Sequence, residues 1–470
     1  MRTTKNLEKA RRLRRNGSKA FRIWLLKRPA LSSFLDGLLK RMDKRSGLYL
    51  VGGIVRDVIM GREGAHDIDI MASGEEYERM GEILGDMRRS RKYGLRDVVS
   101  AGKSFPVYKA FVKWNREPFD IALARTEIST GSGHRDFITS TETVTAREDS
   151  CRRDFTVNAM FLRIRRGPRG VTGNIIDYHG GLADLASGLI RAVGNPDDRF
   201  TEDPLRMMRA IRQKNQLGFS IEKGTWDSIR RLTPRLIKTI SGERISTELM
   251  KSLGASPSGS MEDFHKSGLA ETLVPEFAEN PKLFSEAEKR MALIGRGASQ
   301  TLLAACLLSE TAIEESRQRL DDGQGHPGKR AKRNAAPDDP DFYSEETARA
   351  IMKRLFLPGQ RQITAALHAL TVFANLDRIS FPYAVFEELL RDEQTRNDIL
   401  DLAEIYEKSR GITPRARMMA RRLKETPPVV NGAVLAKAGV PCGPEMKTAL
   451  RRARQAQFEP QEPAEKGWES

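Results

Sequence analysis

The spacing of hydrophobic residues changes near residue 182, and that change restricts the fold more than any other feature of the chain. Between about 48 and 180 the apolar residues come in short runs or alternate with polar ones. Leu48–Val51, Asp67–Met71, Val107–Lys113, Phe119–Ala124, Met160–Ile164 and Ile175–Ile176 read as strands, with a helix over Glu75–Met87. Beyond 182 the period becomes three to four residues. Pro204–Asn215, Trp226–Leu232, Arg244–Leu253, Phe284–Gly295 and Gln300–Leu308 read as helices. The expected class is α+β: a head built on a mixed β-sheet, followed by an all-α neck, body and tail. The boundaries predicted are a basic N-terminal extension over 1–45, the head over 46–181, the neck over 182–255 and the body over 256–321. A flexible insertion or linker rich in Gly, Pro and charge covers 322–343, a helical tail 344–458, and a disordered end 459–470.

Charge narrows the partners. The chain carries 80 Lys and Arg against 63 Asp and Glu, a formal net charge of +17. An excess of this size points to a polyanion, nucleic acid or an anionic surface. Residues 1–45 alone hold 15 basic and 3 acidic residues. They read either as a solvated, partly disordered arm or as a specific RNA contact. Within them Phe21, Ile23, Trp24, Leu25 and Leu26 cluster, and Phe34, Leu35, Leu38 and Leu39 suit a short amphipathic helix. No apolar run reaches the length of a membrane span, and no signal-peptide pattern is present. Cys151, Cys306 and Cys442 lie far apart without metal spacing, which suits a reducing compartment, the cytoplasm. His66–Asp67 is the only His-Asp dipeptide and has no upstream His-x-x-x-His partner, which argues against a phosphohydrolase centre.

Two constellations carry chemistry. In the first, Leu48–Asp57 runs from strand to helix through Gly52 and Gly53. Paired glycines let backbone N–H groups approach a triphosphate, and Arg56 adds charge one turn on. Alone, such a pair is more often a plain turn. Shortly after comes His66-Asp-Ile-Asp-Ile70. Side chains two apart on a strand share a face, so Asp67 and Asp69 project together while Ile68 and Ile70 turn inward. Two carboxylates so placed repel unless a cation joins them, and Mg²⁺ suits oxygen ligands plus phosphates. Asp120, on a neighbouring strand, can supply a third carboxylate.

In the second, Cys151-Arg-Arg-Asp-Phe-Thr-Val-Asn-Ala159 offers Arg153 for phosphate or ribose and Asp154 as an acceptor for a ribose hydroxyl. A surface Arg–Asp ion pair with Thr156 as a local cap is the plainer reading. Asp203, Arg206, Arg209 and Arg212 then recur every three residues, a polar strip winding round one helix. Asp203 before Pro204 also makes a good helix cap, but capping does not need three evenly spaced arginines. A carboxylate accepts from the exocyclic amine of C or A while a guanidinium donates to the ring nitrogen; G and U carry a carbonyl there and are rejected. Asp203 and Arg206 are the candidates for that pair, with Arg209 and Arg212 holding phosphates or tuning it.

These segments resemble the ordered motifs of class II tRNA nucleotidyltransferases and bacterial poly(A) polymerases. The resemblance is carried by LVGGIVRD, HDIDI, CRRDFTVNA, DYHGGLADL, IRAVGNPDDRFTEDPLRMMRAIR and GERISTEL, over about Tyr49–Leu249, and by the tail segment VVNGAVLAKAGVPCGPEMKTALRRA. It implies a polymerase-β-like nucleotidyltransferase head and a helical neck bearing the nucleotide-selecting helix. It also implies metal ligands at Asp67 and Asp69, and nucleotide contacts at Gly53, Arg56, Arg153, Asp203, Arg206, Arg209 and Arg212. SAGKSFPVYKAFV, DIALARTE and TGSG are similar to CCA-adding members, and GKSFPV lacks the basic pairs around Phe that poly(A) polymerases tend to carry. The chain departs from the family in its basic arm, in the 322–343 insertion and at Gln213, where many members carry Phe. The expected activity is addition of C, C and A to tRNA 3′ ends from CTP and ATP with Mg²⁺, the tail binding RNA and no membrane involved. The alternatives are a poly(A) polymerase and a partial CC- or A-adding enzyme.

Overall fold

In the computed structural model, the described residues are 4–62, 68–101, 107–129, 137–140, 144–168, 170–235, 239–321, 346–355, 357–374, 390, 396–412 and 415–458. The chain divides into two compact units, Met1–Ile240 and Ser241–Ser470. The division falls inside the segment 182–255 read as a neck, so its first part folds with the head.

The first unit is built on seven strands: β1 (Gly47–Val51), β2 (Asp69–Ser73), β3 (Leu95–Ala101), β4 (Val107–Val112), β5 (Phe119–Leu123), β8 (Met160–Gly167) and β9 (Gly170–Asp177). Their order across the sheet is β3-β4-β5-β2-β1-β8-β9. Only β2 and β5 pair in parallel, so the sheet is mixed, as expected. A small hairpin of β6 (Thr126–Ser129) and β7 (Phe137–Ser140) stands apart from it. Strand β3, whose apolar residues do not alternate with polar ones, has no counterpart in the sequence reading. It is an edge strand with much of its surface exposed, so its residues need not alternate cleanly.

Helices α1 (Thr4–Leu26), α2 (Pro29–Arg41), α3 (Gly53–Ile59) and α4 (Tyr77–Arg89) pack against one face of the sheet and each other. Leu50, Ile54, Val55, Val58, Leu162 and Ile175 meet Gly17 and Phe21 there. The N-terminal segment is therefore not a solvated arm over its described length. Phe21, Trp24 and Leu25 are buried, as are Leu31, Phe34, Leu35 and Leu38 of α2, while Ile23 and Leu26 stay exposed. Burying seven large apolar side chains outweighs the cost of bringing the basic residues close together.

The opposite face carries a second core of Tyr49, Val51, Met71, Ala124, Val144, Ala146 and Phe161. Over it lies α5 (Ala146–Cys151), opened by a capping box in which Thr145 Oγ1 accepts from Glu148 N and Glu148 Oε2 accepts from Thr145 N. Then follow α6 (Gly181–Ser187), α7 (Pro196–Glu202), α8 (Leu205–Leu217) and α9 (Lys223–Leu232). Helix α8 ends at Gly218, whose φ of 72° supplies the left-handed cap.

The second unit is wholly helical among the described residues, from α10 (Gly242–Ala255) to a last helix at Pro444–Ala456. Its centre holds a charged cluster. Arg290 is fully buried and donates to Glu310 at 2.5 Å and to Ser309 at 2.9 Å, and Arg410 reaches the other Glu310 oxygen at 2.7 Å. Burial raises the Glu310 carboxyl, but Arg290 and Arg410 more than offset it, leaving the group below its ordinary value. The insertion read at 322–343 and the end at 459–470 lie outside the described residues.

Candidate active site

Asp69 opens β2 and stands directly across from Asp120 of β5 in the parallel register. Paired residues on adjacent strands point to the same face and lie about 5 Å apart in the hydrogen-bonding direction. The two carboxylates therefore share the face that also holds Val51 and Met71, opposite α1–α4. Lys109 of β4 is the next residue along the same row and donates to Asp120 at 2.7 Å. Asp67 lies outside the described residues, so its pairing with Asp69 rests on sequence spacing.

Gly52 sits beside these groups with φ 75°, a conformation side chains rarely adopt, and a Cβ there would come 3.2 Å from Asp69 Oδ2. The turn thus brings bare backbone close to a carboxylate. Arg56 behaves differently from expectation. It is buried, its Nε and Nη2 donate to Asp57, and its Nη1 donates to Asn158 at 2.8 Å.

The Arg-Arg-Asp segment is knitted to its surroundings. Arg152 and Arg153 each grip buried Asp149 through Nε and Nη2, one on each carboxylate oxygen, and Arg153 also lies over the Phe161 ring. Burial raises the Asp149 carboxyl, but the two guanidinium groups leave it lowered overall. Asp154 accepts from Arg209 Nη2 at 2.8 Å, from Phe155 N and from Asn158 Nδ2 at 3.2 Å. Burial again raises it, yet Arg209 prevails and holds it down at about 2. The plainer surface-pair reading is thus corrected: the partners are Asp149 and Arg209, and the carboxylates Asp149 and Asp154 are largely withdrawn from water while Arg209 stays partly exposed. Thr156 is no local cap either; its hydroxyl donates to Asp184 at 2.7 Å.

On α8, Arg206, Arg209 and Arg212 form a partly exposed strip against buried Leu205, Met207, Met208, Ala210 and Ile211. Asp203 Oδ1 accepts from Leu205 N at 3.3 Å just before α8, whose N-cap is Pro204. Arg206 donates to Glu202 at 2.9 Å and to the carbonyls of Arg199 and Arg152, which ties α8 to α7 and to the Arg-Arg-Asp segment. Arg212 donates to Gln216.

Three participants went unread in the sequence: Asn158, Asp149 and Lys109. Asn158 lies one turn beyond Asp154 inside a motif already singled out, a spacing that could have drawn notice. Asp149 and Lys109 carry no local signal, because their partners meet them only through the fold.

The DYHGGLADL segment braces this region. Asp177 accepts from the Gly181 and Leu182 amides, and Asp184 holds Thr156 and Arg191.

A mixed sheet with in-register carboxylates beside a Gly-Gly turn, followed by an arginine-striped helix, is the arrangement that the resemblance to polymerase-β-like nucleotidyltransferase heads leads one to expect. Residues 48–191 match the Poly A polymerase head domain, and residues 218–280 match the probable RNA and SrmB-binding site of polymerase A. The CCA-adding enzyme of Lactobacillus gasseri is 37% identical over 249 residues, which is 51% of this chain and 54% of that protein. That of Bacillus velezensis is 36% identical over 231 residues, 48% of this chain and 51% of that protein. The chain spans about half the length of the curated relatives it matches. In overall fold it is similar to the Thermotoga maritima CCA-adding enzyme complexed with tRNA, with a TM-score of 0.58 at 21% identity, covering 90% of this chain and 93% of that one. It is equally similar to the Bacillus stearothermophilus enzyme in complex with CTP, with a TM-score of 0.58 at 23% identity, covering 91% and 92%. Over these segments the chain is similar to CCA-adding enzymes and to poly(A) polymerases.

Proposed function

We propose that this chain is a template-independent RNA nucleotidyltransferase that adds C, C and A to tRNA 3′ ends from CTP and ATP, releasing pyrophosphate. The observation that carries this reading is the in-register pair Asp69–Asp120 beside Gly52, in a segment matching relatives named CCA-adding enzymes.

Family members depend on metal ions. The donor set is all oxygen, and its described members Asp69 and Asp120 share one face, which suits Mg²⁺. Asp67 and Asp69 would hold the ion with Asp120 beside them, and when bound it would supply charge neutralisation at the triphosphate and a more acidic 3′-hydroxyl. The amides at Gly52 and Gly53 approach the phosphates. Asp154, with a carboxyl ionised at any working pH, fixes Arg209 toward the nucleotide. Asp203 and Arg206 read the base edge; for this Arg206 must exchange at least one of its present acceptors, Glu202 among them, for the base. The 3′-hydroxyl oxygen then bonds to the α-phosphorus and gives up its proton to solvent, while the bond from the α-phosphorus to the bridging oxygen breaks and that oxygen leaves with pyrophosphate. Little covalent work falls to the protein, and positioning with charge compensation carries the rate. The cytoplasm suits a chain with three free cysteines, and no helix among the described residues is long and apolar enough to cross a membrane.

A second reading, poly(A) polymerase, is favoured by the names of both matched family segments. Incorporation assays decide between them. They use Mg²⁺, each nucleotide singly and CTP with ATP, on tRNA lacking CCA, tRNA ending in CC, and an unstructured RNA. Addition of three nucleotides to the first and one to the second is the expected result. Long A tails on the unstructured RNA would make the chain a poly(A) polymerase, and only CC or only A a partial enzyme.

A further inference from the structure

The edge of the sheet beyond the carboxylates carries a basic groove that the reaction above does not use. Its volume is about 710 Å³, and Arg88, Arg89, Arg91, Arg96 and Lys113 line it together with Gly85, Gly94 and Leu95. Among the described residues no carboxylate lines it. Part of this charge has an ordinary structural account: Arg88 and Arg89 end α4, where cations complement the helix dipole, and they pair with Asp97 and Asp86 at the surface. Arg91, Arg96 and Lys113 have no such account. All three are exposed, and none makes a side-chain hydrogen bond or ion pair among the described residues. Arg91 is also the one non-glycine residue described with a positive φ, 53°. The turn around it is firmly built, since Lys113 N donates to Gly94 O at 2.8 Å and Trp114 Nε1 to Tyr93 O at 3.0 Å.

The register places the groove relative to the chemistry. Leu95 pairs with Val112, Ala110 with Phe119, Lys109 with Asp120, and Asp120 with Asp69. The start of β3 and the end of β4 therefore lie at the same end of the sheet as the two carboxylates. Lys113 is four residues and one strand from Asp120, about 14 Å by strand geometry. Alternation along β4 puts Lys109 and Phe111 on the face of Asp120, with Lys113 just past the strand's end. Phe111 is 38% exposed, unusual for a phenylalanine on a strand. Exposed Phe111 and Lys113 lead from this face round the edge of the sheet to the groove, whose far wall, Arg88 and Arg89, belongs to α4 on the other face; cations beside an exposed ring have the composition of a single-strand nucleic-acid track, with phosphates on the cations and a base on the ring.

We propose that this groove binds the phosphate backbone of the RNA a few nucleotides upstream of the reacting 3′ end, with Phe111 as a stacking platform on the way. The proposal rests on the RNA substrate of the preceding section but not on which nucleotides are added. The test compares the full chain with the Arg91→Ala, Arg96→Ala, Lys113→Ala triple variant and, separately, Phe111→Ala. RNA affinity is measured by fluorescence anisotropy against salt with tRNA lacking CCA, without nucleotide, and KM for CTP is measured in incorporation. Losing three phosphate contacts lowers the slope of log affinity against log salt by about 2 to 3 and weakens RNA binding at least about tenfold at low salt. Phe111→Ala weakens binding several-fold without changing the slope, and KM for CTP stays within twofold in both. An unchanged slope and affinity in the triple variant overturns the proposal. So does a rise in KM for CTP with RNA affinity intact, since the groove would then serve the free triphosphate. If the parent chain incorporates nothing yet the slope falls as stated, the groove stands and the polymerase reading fails.

Discussion

Gln213 Oε1 accepts a hydrogen bond from Asn158 Nδ2 at 2.9 Å, and both side chains are buried. Asn158 in turn accepts from Arg56 and donates to Asp154, which holds Arg209. One amide thus joins the Gly-Gly turn, the Arg-Arg-Asp segment and the arginine-striped helix. Gln213, the position where the sequence departs from the family it resembles, thus closes the network with a polar group.

Removing the acceptor leaves a buried donor unmet, a cost of about 1–3 kcal/mol. Gln213→Leu is expected to lower the unfolding midpoint of the first unit and to reduce kcat/KM for CTP and ATP by about tenfold. Gln213→Glu, which keeps the acceptor, is expected to recover most of the activity. Tryptophan fluorescence follows this unit well, since Trp24, Trp114 and Trp226 lie within it. If Gln213→Leu matches the parent in both stability and kcat/KM, the network has no positioning role.

How much of this was legible beforehand depends on distance along the chain. The strip at Arg206, Arg209 and Arg212 and the strand bearing Asp69 follow from local periodicity, and the structure has both. The direction in which an arginine spends its donors is not local. Arg56 was expected to face a phosphate and instead faces Asn158, 102 residues away. Arg153 turns to Asp149, upstream of the motif that drew attention to it. The charge of the N-terminal segment suggested an arm, while its few large apolar residues decided the outcome, because Phe21 and Trp24 had a sheet face to cover. Composition counts charges, whereas burial is settled by a handful of side chains.

Asp67→Ala, Asp69→Ala and Asp120→Ala address the carboxylate set. Each of the first two is expected to reduce incorporation at least about 10³-fold, since a displaced ligand removes charge compensation in the transition state. RNA affinity should stay within twofold, because phosphate contacts elsewhere supply it. Asp120→Ala distinguishes a ligand from a neighbour: a loss as large as that for Asp69 makes it a ligand, and a loss under tenfold makes it a second-row group tied to Lys109.

Base choice should follow Arg206. Arg206→Ala is expected to raise misincorporation of U and G relative to C and A by about 10-fold or more, with RNA affinity changed little. Glu202→Gln, which weakens one of the present ties on Arg206, should leave base selectivity intact while altering KM for the nucleotide. Unchanged selectivity in Arg206→Ala, read from single-nucleotide competition assays, would remove the residue from the base-reading role.

The Asp154–Arg209 pair gives a pH signature. The folded-state carboxyl sits at about 2, below its ordinary value of 3.8. A depressed folded value contributes stability that is complete above the unfolded pKa and is lost as pH falls through the folded one. The window is therefore about pH 4 down to pH 2, and the contribution is about 2 kcal/mol. The stability difference between the parent and Asp154→Asn, followed by tryptophan fluorescence in urea, should be constant above pH 5 and shrink toward pH 2. A difference that does not vary between pH 5 and pH 2 would contradict the pairing.

Two glycines predict opposite outcomes for the same substitution. A Cβ on Gly181 would lie 2.1 Å from the Thr156 carbonyl oxygen, and both atoms belong to backbone that cannot swing aside. Separating them must pull α6 away from the Thr156 turn, and with it the hydrogen bond from Thr156 to Asp184. Gly181→Ala is expected to cost about 3 kcal/mol or more, enough to move the chain into inclusion bodies at 37 °C. Gly254, within the last turn of α10, has open space where its Cβ would stand and no positive φ. There the added methyl only restricts the unfolded chain and favours the helix, so Gly254→Ala should stabilise by about 0.5–1 kcal/mol. Thermal unfolding of both variants by circular dichroism checks the pair. A Gly181→Ala protein that melts with the parent would mean that the Gly-Gly segment has slack, and that its resemblance to the family motif does not reflect packing at this point.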